Sequence, residues 1–518
     1  MALPADGTPW PPPHIADIWA DMAEADVWYT GDRTALAEYY TTRAQSARHR
    51  ERLRDHIWAQ PRPLDSPERR LHIPLAGDIA AASADLLYSE PPRLTVDDPA
   101  TQARLDELVH DGGMRMRLLE CAEQTAALGD GYLTLAWDRD LVDRPILVPR
   151  AGDTAIPVLR YGRLLEVVFW QELARDGHRV IRLLERHAVE GGTGYIEYAI
   201  YEGTSTSLGR RVDYGAHPDP AEAEMLTRIT DDQGRQVTGI PMLTATHIPN
   251  VRPNRRHRGW YGRSDYTGIY DQMAALDQTW TSLMRDIRLG QGRVHLPAGA
   301  LQPLGEGQGA AWDPWREAYT ELEIPPDPSG RNGALTVTQF QIRVEEHLRT
   351  ATALISSAVR SAGYSGETFG IVTEGGEQTA TEVAARRSRT TATRERKVEY
   401  QAPAIRRIVE AMLALDRQQF GRTDVIPQAP TVEWPPAHQP TMLERAQTIQ
   451  LLSTAEAVST ELRVRMLHPD WTEAEITEEV ARIRQDQAAA APMLVDPFRD
   501  PDPVEVEQGA EEVEDTAE

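Results

Sequence analysis

Two long apolar stripes at helical spacing, set about 45 residues apart, constrain this chain more than any other feature of it. The first covers about 264–289, where Tyr266, Ile269, Tyr270, Met273, Leu276, Trp280, Leu283 and Ile287 recur every three or four residues and share one face. The second covers about 337–361, through Phe340, Val344, Leu348, Ala351, Ile355 and Val359. Helices of about 25 residues are roughly 40 Å long at the usual rise. Between them, the strand-like Arg293-Val294-His295-Leu296-Pro297 opens a segment with a Gly-rich stretch at 305–309 and the aromatics Trp312, Trp315 and Tyr319. A proline turn at 325–328 and Leu335-Thr336-Val337 close it. The pattern predicts a small module inserted into a long helical hairpin.

A third long helix is expected over 378–418, after the stop at Ala362-Gly363 and a Gly-rich loop at 364–377. Its first half, with Arg386, Arg387, Arg389, Arg394, Arg396 and Lys397, is polar nearly all round, a composition that predicts cover from neighbouring chains. Its second half regains a stripe at Ile405, Ile408, Val409, Met412 and Leu415, with a kink expected at Pro403.

Helices are predicted N-terminally at 14–28, 31–48, 77–89, 100–111 and 114–128, with short strands at 93–96 and 132–137. From about 145 to 250, β-like runs broken by glycines and charged turns predict an antiparallel meander. A proline-rich linker at 427–440 precedes a helical unit at 441–487, and the acidic remainder of the chain is expected to be disordered. The fold class is α+β.

Chemistry is harder to find. Cys121 is the only cysteine, which excludes an internal disulfide framework and a cysteine-rich zinc site; its helical flanks predict a buried, inert thiol. No run of about 20 apolar residues suggests a membrane span, and Met1 to Pro13 has neither the charged nor the apolar region of a signal peptide. Gly305-Glu306-Gly307-Gln308-Gly309 lacks the Lys-Ser/Thr of a phosphate loop. His247, His257 and His295 have no partners at metal-ligand spacing, and Asp138 and Asp140 sit in a charged turn. No catalytic, cofactor or metal residues are assigned, and an enzyme is not expected.

The formal net charge of −25 argues against a chain that grips DNA phosphates; it suits a soluble particle, and equally a channel whose wall should not hold DNA tightly. The basic run Arg252, Arg255, Arg256, His257 and Arg258 is the one patch that could meet nucleic acid, with a solvated turn or inter-subunit ion pairs the preferred reading. Lys397 is the only lysine, an imbalance attributed to the base composition of the gene.

Taken in order, several segments resemble the portal proteins of long-tailed phages of Gram-positive bacteria. Ala37-Glu38-Tyr39-Tyr40 followed by Arg70-Leu71-His72-Ile73-Pro74 resembles the family's N-terminal opening, and 79–94 with Glu90-Pro91-Pro92 resembles the helix and strand that follow. Ala126-Ala127-Leu128-Gly129-Asp130-Gly131-Tyr132 resembles a small-residue helix end, and Arg182-Leu183-Leu184-Glu185-Arg186-His187 a wing strand. Gly262-Arg263-Ser264-Asp265-Tyr266 resembles the start of the first stem helix. Ser365-Gly366-Glu367-Thr368-Phe369-Gly370 with Gln378-Thr379-Ala380-Thr381-Glu382-Val383 resembles the stem-to-tunnel region.

The resemblance implies a wing at 1–262, stem helices at 263–290 and 337–362, a clip at 291–336 and a tunnel-loop region at 363–377. It further implies a long wing helix at 378–426, a linker at 427–440, a crown at 441–487 and an acidic tail at 488–518. Glu367, Glu374 and Glu377 become candidates for charge facing the lumen, and Trp312, Trp315 and Tyr319 for the clip surface that meets motor and adaptor. Arg386, Arg387, Arg389, Arg394 and Arg396 become candidates for contacts between subunits. The implied partners are copies of the chain in a dodecameric ring, double-stranded DNA, the terminase large subunit, a head-completion adaptor, and the major capsid and scaffolding proteins. The implied location is the virion, with the host cytoplasm during assembly and no membrane. The alternatives are another minor head or connector protein, which predicts no helix–insert–helix arrangement, and a nucleic-acid-processing enzyme, which predicts a carboxylate cluster for metal.

Overall fold

A computed structural model describes residues 3–46, 49–60, 70–289, 293–295, 336–338, 342–371, 380–436, 442–455, 457–468, 471 and 473–490, with backbone alone at 289, 293–295, 336–338, 380–387, 442–445 and 486–490. Two units divide the chain, residues 1–437 and 438–518; the boundary falls inside the stretch read as a linker.

The first unit opens with α1 (Ala16–Thr30) and α2 (Arg33–Gln45), separated by Gly31 in the left-handed region and capped by the Asp32 carboxylate on the Thr34 amide. Next come α3 (Leu75–Tyr88), β1 (Arg93–Thr95), α4 (Pro99–Asp111) and α5 (Met114–Leu128). α4 begins on Asp98, whose side chain accepts from the Thr101 amide, with proline at its first position. The predicted helices are all present, their ends shifted by a few residues.

The β-rich region divides differently from the predicted meander. β2 (Asp130–Ala136) and β3 (Ile146–Ala151) form a three-stranded antiparallel sheet with β10 (Ala245–Pro249). Between β3 and β10, a second sheet runs in the order β4 (Ala155–Arg160), β5 (Arg163–Asp176), β6 (Arg179–Glu190), β7 (Thr193–Gly203) and β8 (Arg210–Val212). The helix α6 (Pro220–Ile229) then precedes β9 (Arg235–Val237), which pairs with β7. The expected closing strand thus leaves the meander and completes the sheet begun before it. The unpredicted α6 had a local signal: Asp219 caps it through the Ala221 amide, and Pro220 is its first residue.

α7 (Tyr270–Leu289) and α8 (Val344–Ala362) are the two predicted long helices, each shorter at its start. Gly268, at φ +90°, interrupts the first stripe, yet Tyr266 and Ile269 remain fully buried ahead of the helix. β11 (Arg293–His295) and β12 (Thr336–Thr338) pair antiparallel between the helices, which delays the start of α8. The segment these strands bracket, with Trp312, Trp315 and Tyr319, lies outside the described residues.

α9 (Ala380–Phe420) is a single 41-residue helix that runs on through Pro403. β13 (Thr431–Glu433), inside the stretch read as a linker, pairs antiparallel with β1. One core joins α1–α3, the end of α5 and the α7–α8 pair, around Trp28, Ile79, Met273 and Val359. Another packs α4, α5 and β2 against the second half of α9, through Leu105, Leu118, Leu133 and Ile408.

The second unit holds α10 (Met442–Thr454), α11 (Thr460–Leu467) and α12 (Glu473–Ala490), with Val464, Ile476 and Val480 at its small core.

Candidate functional site

The base of the α7–α8 hairpin is fixed by polar contacts that the sequence had scattered over hundreds of residues. Gly129-Asp130-Gly131 and Gly262-Arg263-Ser264-Asp265 lie backbone against backbone: Asn250 N donates to Gly129 O at 2.9 Å and Asp265 N to Ala126 O at 3.0 Å. Gly262 N donates to the Asp130 carboxylate at 2.9 Å, and His247 Nε2 lies 2.6 Å from the same oxygen. Gly129, at φ +99°, leaves no room for a side chain; a Cβ there would sit 2.8 Å from Ser264 N. That is the physical content of two of the segments singled out in the sequence.

Asp265 lies at the centre of a buried cluster. Its Oδ2 accepts from Lys397 Nζ at 2.6 Å and from the Tyr364 hydroxyl at 2.7 Å, and its Oδ1 accepts from Asn250 Nδ2 at 2.8 Å. The Lys397 ammonium also donates to Ser83 Oγ at 2.6 Å and to the Tyr364 hydroxyl at 3.0 Å, so its three protons meet three acceptors. Burial lowers the proton affinity of Lys397, and Asp265 opposes that shift. Tyr364 is pushed well above the usual phenol range by burial and then by Asp265. The cluster ties together α3, the segment before α7, the turn after α8, and α9.

A second tether lies along α7. Fully buried Asp277 accepts from Trp58 Nε1 at 3.0 Å and from the Ile73 amide at 2.9 Å, and lies 2.9 Å from His72 Nδ1. Thr281 accepts from the Leu71 amide at 2.9 Å. The Leu71-His72-Ile73 segment therefore docks through its backbone onto two side chains of α7.

At the other end of the pair, Asp286 on α7 lies 3.2 Å from His347 and 3.3 Å from Arg343, at the start of α8. The hydrogen bond from His347, and after it Arg343, hold the Asp286 carboxyl below the usual range, with desolvation opposing them. Beside this contact the apolar stripe continues into solvent: Ile287, Val344 and Leu348 are 39%, 43% and 44% exposed. The same stripe nearer the base, at Ala351 and Val359, is buried.

The polar first half of α9, for which cover from neighbouring chains is expected, packs in part within the protomer. Thr390, Thr393, Arg394, Lys397 and Gln401 form a helical stripe buried within the protomer, continuous with the apolar stripe at Ile405, Ile408 and Met412. Each of these polar groups finds a partner, which is the condition for burying it. Thr393 donates to Gly363 O at 2.6 Å, Thr390 accepts from the Ser365 amide at 2.9 Å, and Gln401 accepts from the Tyr88 hydroxyl at 2.9 Å.

The arginines proposed for subunit contacts therefore divide. Arg394 is spent inside the chain, donating to Leu86 O and Pro435 O at 2.7 Å each. Exposed Arg389 donates to Arg360 O at 2.9 Å, whereas Arg396 is exposed. The side chains of Arg386 and Arg387 lie outside the description. Glu367 sits in a one-turn helix, Gly366–Phe369, with its side chain half-buried. Ser365, Thr368 and Thr390 join this turn to α9 through their hydroxyls. Glu374 and Glu377 lie outside the described residues.

The basic run at 252–258 is split too. Arg256 and His257 both reach Asp21, at 2.7 and 2.8 Å, whereas Arg252 lies over the rings of Trp260 and Tyr400. Among the described residues, no group of three or more His, Cys, Asp or Glu side chains could hold a metal, and no helix is long and apolar enough to cross a membrane. Base composition accounts for the scarcity of lysine but not for this one; a lone lysine among arginines is the sequence signal for a compact buried cation. Asp277, a carboxylate interrupting the α7 stripe, was the signal for the second tether.

A family model described as phage portal protein, SPP1 Gp6-like, matches residues 187–493. That match runs from the end of β6 through both long helices, α9 and the second unit. No curated protein matches the chain. Among solved structures, the neck of an empty GTA particle computed with C6 symmetry is 14% identical, covering 76% of this chain and 90% of that one at a TM-score of 0.39. The neck of a native GTA particle computed with C12 symmetry is 11% identical, covering 76% and 89% at a TM-score of 0.37.

Proposed function

Because the chain belongs to the family of phage portal proteins described as SPP1 Gp6-like, we propose that its copies close into a dodecameric ring at one capsid vertex, as in long-tailed phages of Gram-positive hosts. DNA enters through this ring during packaging and leaves through it on ejection. The α7–α8 hairpin is the stem that lines the channel, residues 291–336 are the clip that receives the terminase large subunit and later the head-completion adaptor, and the second unit is the crown. The remaining sheets and helices form the wing, in contact with major capsid and scaffolding proteins. Glu367, Glu374 and Glu377 carry the negative charge of the tunnel-loop region.

The observation that carries this reading is the hairpin itself. Its base is locked by Asp265 and Asp277, while its far end leaves Ile287, Val344 and Leu348 bare, as a helix pair does when copies must cover it. A ring needs head-to-tail contacts that close, and an acidic chain lets a phosphate backbone slide rather than hold it. The portal's part is structural, with no chemical step assigned to it.

Negative-stain microscopy with native mass spectrometry on the purified chain tests the reading. Rings with a central hole, formed alone or with scaffolding protein, support it; a strict monomer under both conditions overturns it.

A further inference from the structure

Three segments distant in sequence bring arginines that form no ion pair among the described residues to one face of the first unit. The tip of the β4–β5 hairpin supplies Tyr161 and Arg163, the loop before α7 supplies Arg252, Arg255 and Trp260, and α9 supplies Arg396, Tyr400 and Arg407. Contacts knit them together. A Cβ on Gly162 would lie 2.9 Å from the Trp260 ring, so the hairpin tip sits directly on that indole. The Arg252 guanidinium lies 5.8 Å from the Trp260 ring centre and 5.9 Å from that of Tyr400. Arg252, Tyr400 and Arg407 also line a small cavity of about 100 Å³, in which Glu399 is the one acidic residue.

These cations lack the carboxylate partners that several arginines elsewhere in the chain possess. Arg43, Arg104, Arg150, Arg186 and Arg256 each pair with a carboxylate, whereas among the described residues no ion pair reaches Arg163, Arg255, Arg263, Arg396 or Arg407. Arg252 Nε is buried without a hydrogen-bond partner. The cations also work against one another: after burial, Arg255 disfavours the charge on Arg263, Asp265 partly offsets this and Arg396 adds to it, while Arg163 disfavours the charge on Arg407. The gathered arginines outnumber the nearby carboxylates Glu399, Asp265 and Asp130; such an excess of like charge disfavours the isolated fold, and an incoming anionic surface would relieve it.

We propose that this face docks onto an acidic surface of a second copy of the chain, and so forms one half of the contact between neighbours in the ring. The inference rests on the ring reading above. Three observations favour a second copy over duplex DNA. The chain carries 80 acidic against 55 basic residues, so the rest of another copy is rich in carboxylate. A body of net charge −25 repels a phosphate backbone at a distance. Head-to-tail closure requires two different patches that complement each other. Tyr161 and Trp260, 82% and 44% exposed, add the aromatic surface that protein interfaces favour along with arginine.

Arg163, Arg255, Arg396 and Arg407 are all exposed, so changing them need not disturb the core. Native mass spectrometry on the full chain compares wild type with a variant carrying Arg163→Glu, Arg255→Glu, Arg396→Glu and Arg407→Glu, and with the four corresponding Arg→Lys changes. The Glu variant is expected to lose rings by about tenfold or more at equal concentration, with unchanged circular dichroism, while the Lys variant keeps them. If the combined Glu variant unfolds, Arg163→Glu and Arg407→Glu are measured singly against the same expectation. Undiminished rings in the Glu variants overturn the docking face and leave the ring reading standing. Wild type that forms no ring, with or without scaffolding protein, overturns both. Rings unchanged, with binding of a short DNA duplex lost by fluorescence anisotropy, overturns the second-copy assignment in favour of DNA.

Discussion

The only lysine of the chain, Lys397, places its Nζ 2.6 Å from Asp265 Oδ2, with both side chains almost wholly out of solvent. Removing one partner of such a pair strands the other, at a cost of about 3–5 kcal/mol. Lys397→Met should therefore lower the denaturation midpoint in urea markedly. Lys397→Arg should also destabilise, because a planar guanidinium cannot set three donors around the point where Ser83, Asp265 and Tyr364 converge. An arginine variant as stable as wild type would remove any special need for the ammonium.

His56 gives the fold a defined acid sensitivity. Its ring stacks on Tyr40 with centroids 4.1 Å apart, and burial holds its proton affinity down, to about 4. The unfolded chain takes up that proton near the ordinary value of about 6.5, so stability is full above that pH and is lost as pH falls toward 4. The loss is at most about 3 kcal/mol. Melting midpoints of wild type should fall across this range, and His56→Phe, which keeps the stacked ring, should flatten the curve.

Cys121 should be inert while the fold stands. Burial pushes its thiol up to about 12, and its sulfur lies 3.6 Å from Tyr132 O. A thiol-specific chromogenic reagent at pH 8 should give no signal with the native protein and one equivalent in denaturant. Rapid native reaction would contradict the packing of α5 on β2.

Gly129→Ala should cost several kilocalories per mole, since it places a Cβ against the Ser264 and Arg263 backbone at a positive φ. Gly177→Ala is the control: φ is +56°, but nothing lies within 4 Å of the new atom, so only the conformational cost of about 1 kcal/mol remains. Equal losses at the two sites would show that the close approach at Gly129 does not matter.

Val344→Asp with Leu348→Asp should leave the monomer's circular dichroism intact and reduce ring formation, because both side chains already face water in the protomer. Analytical ultracentrifugation of the variant reads the outcome. Unimpaired rings would free the far end of the hairpin from any part in assembly.

The long helices were legible because a stripe such as Met273, Leu276, Trp280 and Leu283 repeats locally, and so were many of the strands. What escaped was whatever depended on distant partners. Nothing near Thr246 says that β10 will pair with β2 more than a hundred residues earlier, and nothing near Thr431 says that it will find Thr95. The polar half of α9 misled for the same reason: Thr390, Arg394 and Gln401 look like surface until Ser365, Leu86 and Tyr88 arrive to bond them. The family, by contrast, was visible in short segments whose meaning is backbone contact, such as Gly129 against Gly262.

The change along α9 from hydrogen-bonded to apolar contacts gives that helix only one setting. Sliding it by a turn, about 5.4 Å, would pull Lys397 off its three acceptors and carry its ammonium to the place that Gln401 holds beside the Tyr88 hydroxyl. A helix keyed in this way resists slip along its own axis, because any such shift must break the Thr393, Lys397 and Gln401 contacts together.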